Sequence, residues 1–302
     1  MAGRKQHIEQ MDKALTAAAV KRPEELLFTY KGVLYPSVVC NPETFEALDA
    51  FEMKEEDLLL VSYPKCGTNW TCQLLNDMVY TTSGKEPPQE MPLLEFGTPD
   101  KLKRLTNLQS SRVLVTHLHT DNLPKTVFAK KIKTLVVFRN PKDAAVSYFH
   151  FYHNNPGLPT YDSWDEFFEC FMNGKVAYGS YFDHAIAWNK HIDDENVMIV
   201  MFEDMKQDLV AATTQIADFF GLPLTKEQIQ LIADKGSFKA MKDKSNETHG
   251  KMGSFLFRKG DVGDWKNYFS EAQSQEMDAK FEECLAGTKL GEKMLYNVYC
   301  KT

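Results

Sequence analysis

One lysine, one glycine and one threonine stand between an apolar run and a helical pattern in residues 57–80, DLLLVSYPKCGTNWTCQLLNDMVY. The run 58–61 reads as a buried strand, and Trp70, Leu74 and Met78 fall on one helical face. A strand feeding a helix through a short loop aims the helix's free N–H groups and positive dipole end at one point, which makes an anion site. Lys65 adds charge, Gly67 allows close backbone approach, and Thr68 adds a hydroxyl donor. The common nucleotide loop, G-x-x-x-x-G-K-[ST], places its lysine after the second glycine, whereas Lys65 precedes the loop's only glycine. The chemistry indicated is capture of a phosphate or a group of that shape. The plainer reading is an ordinary turn with a solvated lysine.

Two further stretches carry cations in similar settings. In residues 134–153, TLVVFRNPKDAAVSYFHFYH, a buried strand ends in Arg139, and Pro141 and Asp143 suit a helix start. Arginine there suits bidentate phosphate recognition, with Ser147 inside the helix able to face the same anion; an Arg–carboxylate pair and a serine bonding its own helix is the alternative. In residues 255–269, FLFRKGDVGDWKNYF, Arg258, Lys259 and Gly260 sit together after a polar stretch; a solvated charged turn is the alternative.

Elements that could position these groups are legible as β-rich runs at 58–61, 113–115, 134–138 and 197–201, alternating with helical spacing at 69–80, 143–152, 164–171, 178–191 and 208–220. Such alternation predicts an α/β fold, a single domain with a central, mainly parallel sheet flanked by helices. Ligands of these sheets sit at the carboxyl ends of the strands. The residues expected to converge are therefore Lys65, His117, Arg139 and those at 202–204. Residues 1–25 read as a charged arm and 26–302 as the domain. The polar segment 242–253, KDKSNETHGKMG, reads as a lid over the site.

Composition narrows the function further. The 302 residues are 43% hydrophobic, enough for one large core. A net charge of -7 argues against a nucleic-acid surface. Six scattered cysteines with no C-x-x-C point to free thiols rather than zinc or a disulfide framework. No stretch has signal-peptide or membrane-span character, so a cytoplasmic protein with no membrane contact is expected.

The three cation-bearing segments together resemble the cytosolic sulfotransferases, which take the sulfuryl group from 3′-phosphoadenosine 5′-phosphosulfate (PAPS). Y-P-K-x-G-T-x-W resembles their P-loop-like 5′-phosphosulfate loop, R-N-P-K-D-x-x-V-S-Y their 3′-phosphate segment, and R-K-G-x-x-G-D-W the segment that closes over the 3′-phosphate. The resemblance runs from about residue 28 to the end of the sequence. It implies PAPS as co-substrate without a metal, a small-molecule acceptor, and Lys65 and His117 as catalytic residues. Val113 to Leu118 match the strand end carrying the family's histidine base; on proximity alone His119, His150 and His153 are rivals.

By the same resemblance Lys65, Cys66, Gly67, Thr68, Asn69, Trp70, Arg139, Ser147, Arg258, Lys259 and Gly260 bind the co-substrate, with Phe202, Ser237, Phe238 and Met241 on its adenine side. Phe28 and Phe151, with Phe149 and Tyr152 nearby, are candidate walls of an aromatic or steroid-like acceptor pocket, although plain core is the alternative for all of them. This chain departs from the family at Val115, where a lysine is usual, at Phe202 for a tyrosine, and at Gly236 for a threonine. The family's dimer signature is degraded as Lys266, Ser270, Glu271 and Gln275, leaving a homodimer open. A PAPS-binding protein with little or no catalytic activity is the alternative function. A nucleotide kinase would require the GK[ST] loop, and a Golgi carbohydrate sulfotransferase a membrane anchor.

Overall fold

The structure is a computed structural model that describes residues 2–84, 93–108 and 111–301. Strands β1 (Leu27–Tyr30) and β2 (Val33–Pro36) form an antiparallel hairpin that periodicity did not reveal. The central sheet contains β3 (Leu58–Ser62), β4 (Val113–Thr116), β5 (Thr134–Phe138) and β6 (Val197–Met201), all parallel, in the order β4-β3-β5-β6. These are the four runs expected from sequence. Their unbroken apolar character follows from burial on both faces. Leu58 and Leu60 pack with Leu74 and Met78 on one side, while Leu59 and Val61 pack with Phe138 and Tyr148 on the other.

Strand order determines where a ligand can enter. The chain leaves β3 for β4 on one side, then crosses to β5 on the other. The crevice at such a switch point opens at the carboxyl ends of the strands. Lys65 follows β3, His117 follows β4 and Arg139 follows β5, so three separate segments reach one place.

At the opposite end of the sheet a buried ion pair secures the β3–β4 register. Asp57 and Arg112 immediately precede Leu58 and Val113, which are register partners. Arg112 grips Asp57 with two donors, Nε at 2.7 Å from Oδ1 and Nη2 on Oδ2, and its Nη1 donates to the Leu105 carbonyl at 2.7 Å. Both side chains are fully buried. A one-residue slip would separate the pair and turn each side chain to the wrong face.

The stretch read as a charged arm holds a helix, Ala2–Ala18. Ile8, Met11, Leu15 and Ala18 recur at helical spacing within it, and Leu15 and Ala18 are buried. Segment 242–253 is not an open loop either. It folds into short turns of helix, Ser245–His249, Gly250–Met252 and Gly253–Leu256.

Replacing Arg112 with Met leaves Asp57 buried without its charge partner. The expected loss is about 3–5 kcal/mol of stability, seen as a lower urea midpoint. An unchanged midpoint would show that the pair does not hold the strands.

Candidate active site

The loop after β3 is shaped by its backbone. Lys65 adopts φ +70° and Gly67 φ +109°, which turns the chain back into the helix Thr68–Ser83. A Cβ at Gly67 would lie 3.1 Å from the Phe202 ring, so glycine meets both the left-handed conformation and the close approach. Below the loop, Ser62 and Thr68 share a hydroxyl–hydroxyl hydrogen bond of 2.6 Å. Cys66 turns its thiol into the core, where burial pushes its pKa up to about 12. Only the backbone of Cys66 can face a ligand.

Lys65 and Arg139 converge with little counter-charge. Lys65 Nζ lies 4.3 Å from the centre of the Phe151 ring and makes no ion pair among the described residues. Burial first, then Arg139 and Arg258, hold its pKa down to about 7. Arg139 is 6% exposed, stacks over Phe202 at 4.4 Å, and donates from Nη2 to the Asp261 carbonyl at 2.7 Å. Its buried Nε has no partner among the described residues. Such an orphan beside a second cation fits an anion bound at this point.

The basic loop comes over the same place. Arg258 and Lys259 both reach Asp264. Gly260 has φ +67°, and a Cβ there would fall 2.2 Å from the Phe238 ring. Asp143, in the helix Pro141–Asn154, accepts from Gly263 N–H at 2.7 Å and Trp265 N–H at 3.0 Å, fixing the loop to the helix that carries Ser147.

His117 has its orientation set from two sides. The Ser62 carbonyl accepts from Nδ1–H at 2.8 Å, and a carbonyl can only accept. The proton therefore sits on Nδ1 and the lone pair on Nε2. Buried Glu95 accepts from His117 N–H and from the Thr116 hydroxyl, both at 2.8 Å. Burial pushes the imidazole pKa below its ordinary value; Glu95 and the Ser62 carbonyl oppose the shift, and Lys65 adds to it. The ring is thus neutral near pH 7 and can accept a proton at Nε2. Of its sequence rivals, His150 bonds Tyr268 at 2.8 Å and is pushed down to about 4, chiefly by burial. His119 bonds locally around Asp121. Neither lines the cleft, and nor does His153.

One cleft of about 1410 Å³, its mouth included, brings together Lys65, Gly67, Thr68, Asn69, Trp70, His117, Arg139, Ser147, Phe151, Phe202, Phe238, Met241, Arg258, Lys259 and Gly260. Trp70 and Phe202 stand at 70° with centroids 5.3 Å apart, and Trp70 Nε1 donates to the Gly236 carbonyl at 2.7 Å. Cys66, Ser237 and Phe28, and with them Phe149 and Tyr152, are not in its wall. Ser237 caps the helix Phe238–Asp243, and Phe28 packs inward against Tyr35 and Phe45, so the core alternative holds for it. A Cβ at Gly236 would lie 2.5 Å from Leu74 Cδ2 and 3.2 Å from the Ile232 carbonyl oxygen, so a threonine there requires Leu74 to shift. Val115 faces the apolar layer beneath the helix Thr68–Ser83, and β4 carries no lysine.

Several lining residues were not foreseen, among them Tyr178, whose ring centre lies 5.0 Å from His117, and Met11 and Leu15 of the first helix. Spacing could have revealed Met11 and Leu15. Tyr178 and Glu95 carry no local signal. The degraded dimer segment is partly used within the chain: Ser270 and Gln273 form a capping box for the helix Glu271–Cys284.

A family model described as "Sulfotransferase domain" matches residues 55–289. Human Sulfotransferase 6B1 is 51% identical over the whole of both chains, and the zebrafish (Danio rerio) Sulfotransferase 6B1 is 50% identical over 97% of this chain and all of its own. Dog Sulfotransferase 1A1 is 35% identical over 86% of this chain and 93% of its own. Among solved structures, mouse sulfotransferase SULT7A1 complexed with PAP superposes with a TM-score of 0.81 at 35% identity, covering 89% of this chain and 98% of that one.

The Lys65 environment makes anion binding depend on pH. A phosphate needs the charged ammonium, whose pKa before binding is about 7. Affinity for adenosine 3′,5′-bisphosphate should fall between pH 7 and 9, by up to about tenfold per unit. Folding stability without ligand runs the other way. The folded-state pKa lies below the unfolded one, so the unfolded chain binds more protons and stability rises with pH over that window. Lys65→Arg should flatten the binding profile in calorimetric titrations; a flat wild-type profile would contradict the assignment.

Proposed function

Because this chain belongs to the sulfotransferase family and is a PAPS-dependent sulfotransferase, we propose that it sulfates a hydroxyl or amine of a small aromatic or steroid-like acceptor, with His117 as general base. The observation that carries this reading is the Ser62–His117 hydrogen bond, which leaves the Nε2 lone pair available in the cleft. The apolar surroundings of His117, with Phe96, Tyr148, Phe151 and Tyr178 lining the same cleft, support a flat apolar acceptor.

His117 Nε2 takes the acceptor proton as the acceptor oxygen or nitrogen forms its bond to sulfur. The bond from sulfur to the 5′-phosphate oxygen breaks, and its electron pair stays on that oxygen. Lys65 and the loop N–H groups neutralise the charge developing there. Positioning and charge stabilisation carry most of the acceleration in transfers of this kind. Arg139, Ser147, Arg258 and Lys259 hold the 3′-phosphate, and Trp70, Phe202, Phe238 and Met241 enclose the adenine. The products are the sulfated acceptor and adenosine 3′,5′-bisphosphate.

No helix among the described residues is long and apolar enough to cross a membrane. The resemblance to cytosolic sulfotransferases supports action in the cytoplasm on a diffusible acceptor.

Transfer of labelled sulfate from PAPS to a panel of phenols, steroids and amines tests the reading, with bisphosphate binding measured alongside. His117→Ala should lower turnover by about 10²–10⁴-fold and keep nucleotide affinity. Wild-type turnover in that variant would remove His117 as base. Tight nucleotide binding without transfer by the wild-type chain would remove this acceptor class.

A further inference from the structure

The first helix, Ala2–Ala18, lies outside the matched residues 55–289, yet Met11 and Leu15 line the cleft. We propose that this helix forms the outer wall of the acceptor chamber and that Met11 sets the length of acceptor admitted. The proposal rests on the sulfotransferase reading of the cleft and adds a specificity-determining residue to it.

Three observations seat the helix, the first of them away from the phosphate-binding segments. Leu15 packs where a Cβ on Gly157 would lie 3.5 Å from Leu15 Cδ2 and 3.4 Å from Val38 Cγ2. Neither Val38 nor Gly157 belongs to the phosphate-binding or adenine segments. Second, the helix is joined to the cover segment by polar bonds: Asp12 Oδ1 accepts from Lys251 N–H at 3.1 Å, and Lys251 Nζ reaches Thr16 Oγ1 at 3.3 Å. Third, Gly250 takes φ +57° directly against the helix, where a Cβ would come within 2.4 Å of Ile8 Cγ2 and 3.0 Å of Asp12 Oδ1. Only glycine allows that approach. The helix and residues 250–252 therefore pack as one cover, with Met11, Leu15 and Met252 presenting apolar surface to the cleft.

Met11 is partly exposed and Leu15 is buried. Met11 is therefore the side chain a long acceptor would meet, and Leu15 is the one that seats the helix. A flexible thioether at the contact tolerates several ligand shapes. On this proposal a rigid four-ring acceptor meets Met11 and a small phenol held near His117 does not.

The test uses full-length Met11→Trp and Met11→Ala with 4-nitrophenol and estradiol as probes. Met11→Trp should raise KM for estradiol about tenfold or more and leave KM for 4-nitrophenol and the affinity for bisphosphate unchanged; Met11→Ala should not raise it. A parallel change for both acceptors, or a loss of bisphosphate affinity, would show a purely structural role and overturn the proposal. A second readout does not depend on turnover. In Met11→Cys, maleimide labelling at position 11, located by peptide mass spectrometry, should slow when estradiol and bisphosphate are both present. Protection without sulfate transfer would support the wall and reject the acceptor class. Transfer without protection would reject the wall and retain the acceptor class.

Discussion

The site depends on positive charges held close together with too few carboxylates to neutralise them. Burial, with Arg139 and Arg258 close by, lowers the Lys65 pKa to about 7. Asp264 pairs with Arg258 and Lys259, but Lys65 and Arg139 have no such carboxylate among the described residues, and two other nearby acids are engaged elsewhere. Asp143 is bonded to Gly263 and Trp265, and Glu203 accepts from Asn140. Burial raises the Glu203 pKa, and Asn140 and Arg139 oppose the shift. A cleft of this kind carries electrostatic strain that an anion with several negative oxygens relieves. The strain is tolerated because the surrounding scaffold is rigid.

That rigidity comes from the sheet. Lys65, Arg139 and His117 each follow within three residues of a strand's carboxyl end, and the four strands are almost wholly buried. Asp57 and Arg112 hold two of those strands in register from the far end, so the Ser62 carbonyl arrives beside His117 Nδ1. Orientation of the imidazole is therefore a consequence of strand register as well as of the loop in which His117 sits.

Local signals carried most of this in the sequence. All four central strands were visible as apolar runs, because a strand buried on both faces carries few polar positions, here Ser62, Thr116 and Thr134 at strand ends. The convergence of Lys65, His117 and Arg139 followed from the rule for parallel sheets. Glycines 67 and 260 stood out as loop residues, although the rings they accommodate, Phe202 and Phe238, come from distant segments. Residues whose role depends on tertiary neighbours were hidden. Glu95 reaches His117 across 22 positions, and Tyr178, read from sequence as the start of a helical stretch, lies ahead of the helix Tyr181–Asn189 with its ring beside the imidazole. The first helix was obscured for a different reason. Its charged residues dominate its composition, while its narrow apolar stripe emerges only when positions 8, 11, 15 and 18 are taken together.

Asp264 has a role beyond ordering its own loop. Burial would raise its pKa, but hydrogen bonds from Lys259 and Arg258 prevail and hold it near 2, so it remains an anion throughout the physiological range. It serves as an intramolecular counterion for Arg258 and Lys259, the two residues proposed to receive the 3′-phosphate. A nucleotide arriving there exchanges contacts with a tethered carboxylate, where bare cations would have shed mobile salt ions into bulk water. The ionic-strength dependence of nucleotide affinity is correspondingly shallower than the number of cations in the cleft would suggest, and binding is buffered against changes in cellular salt.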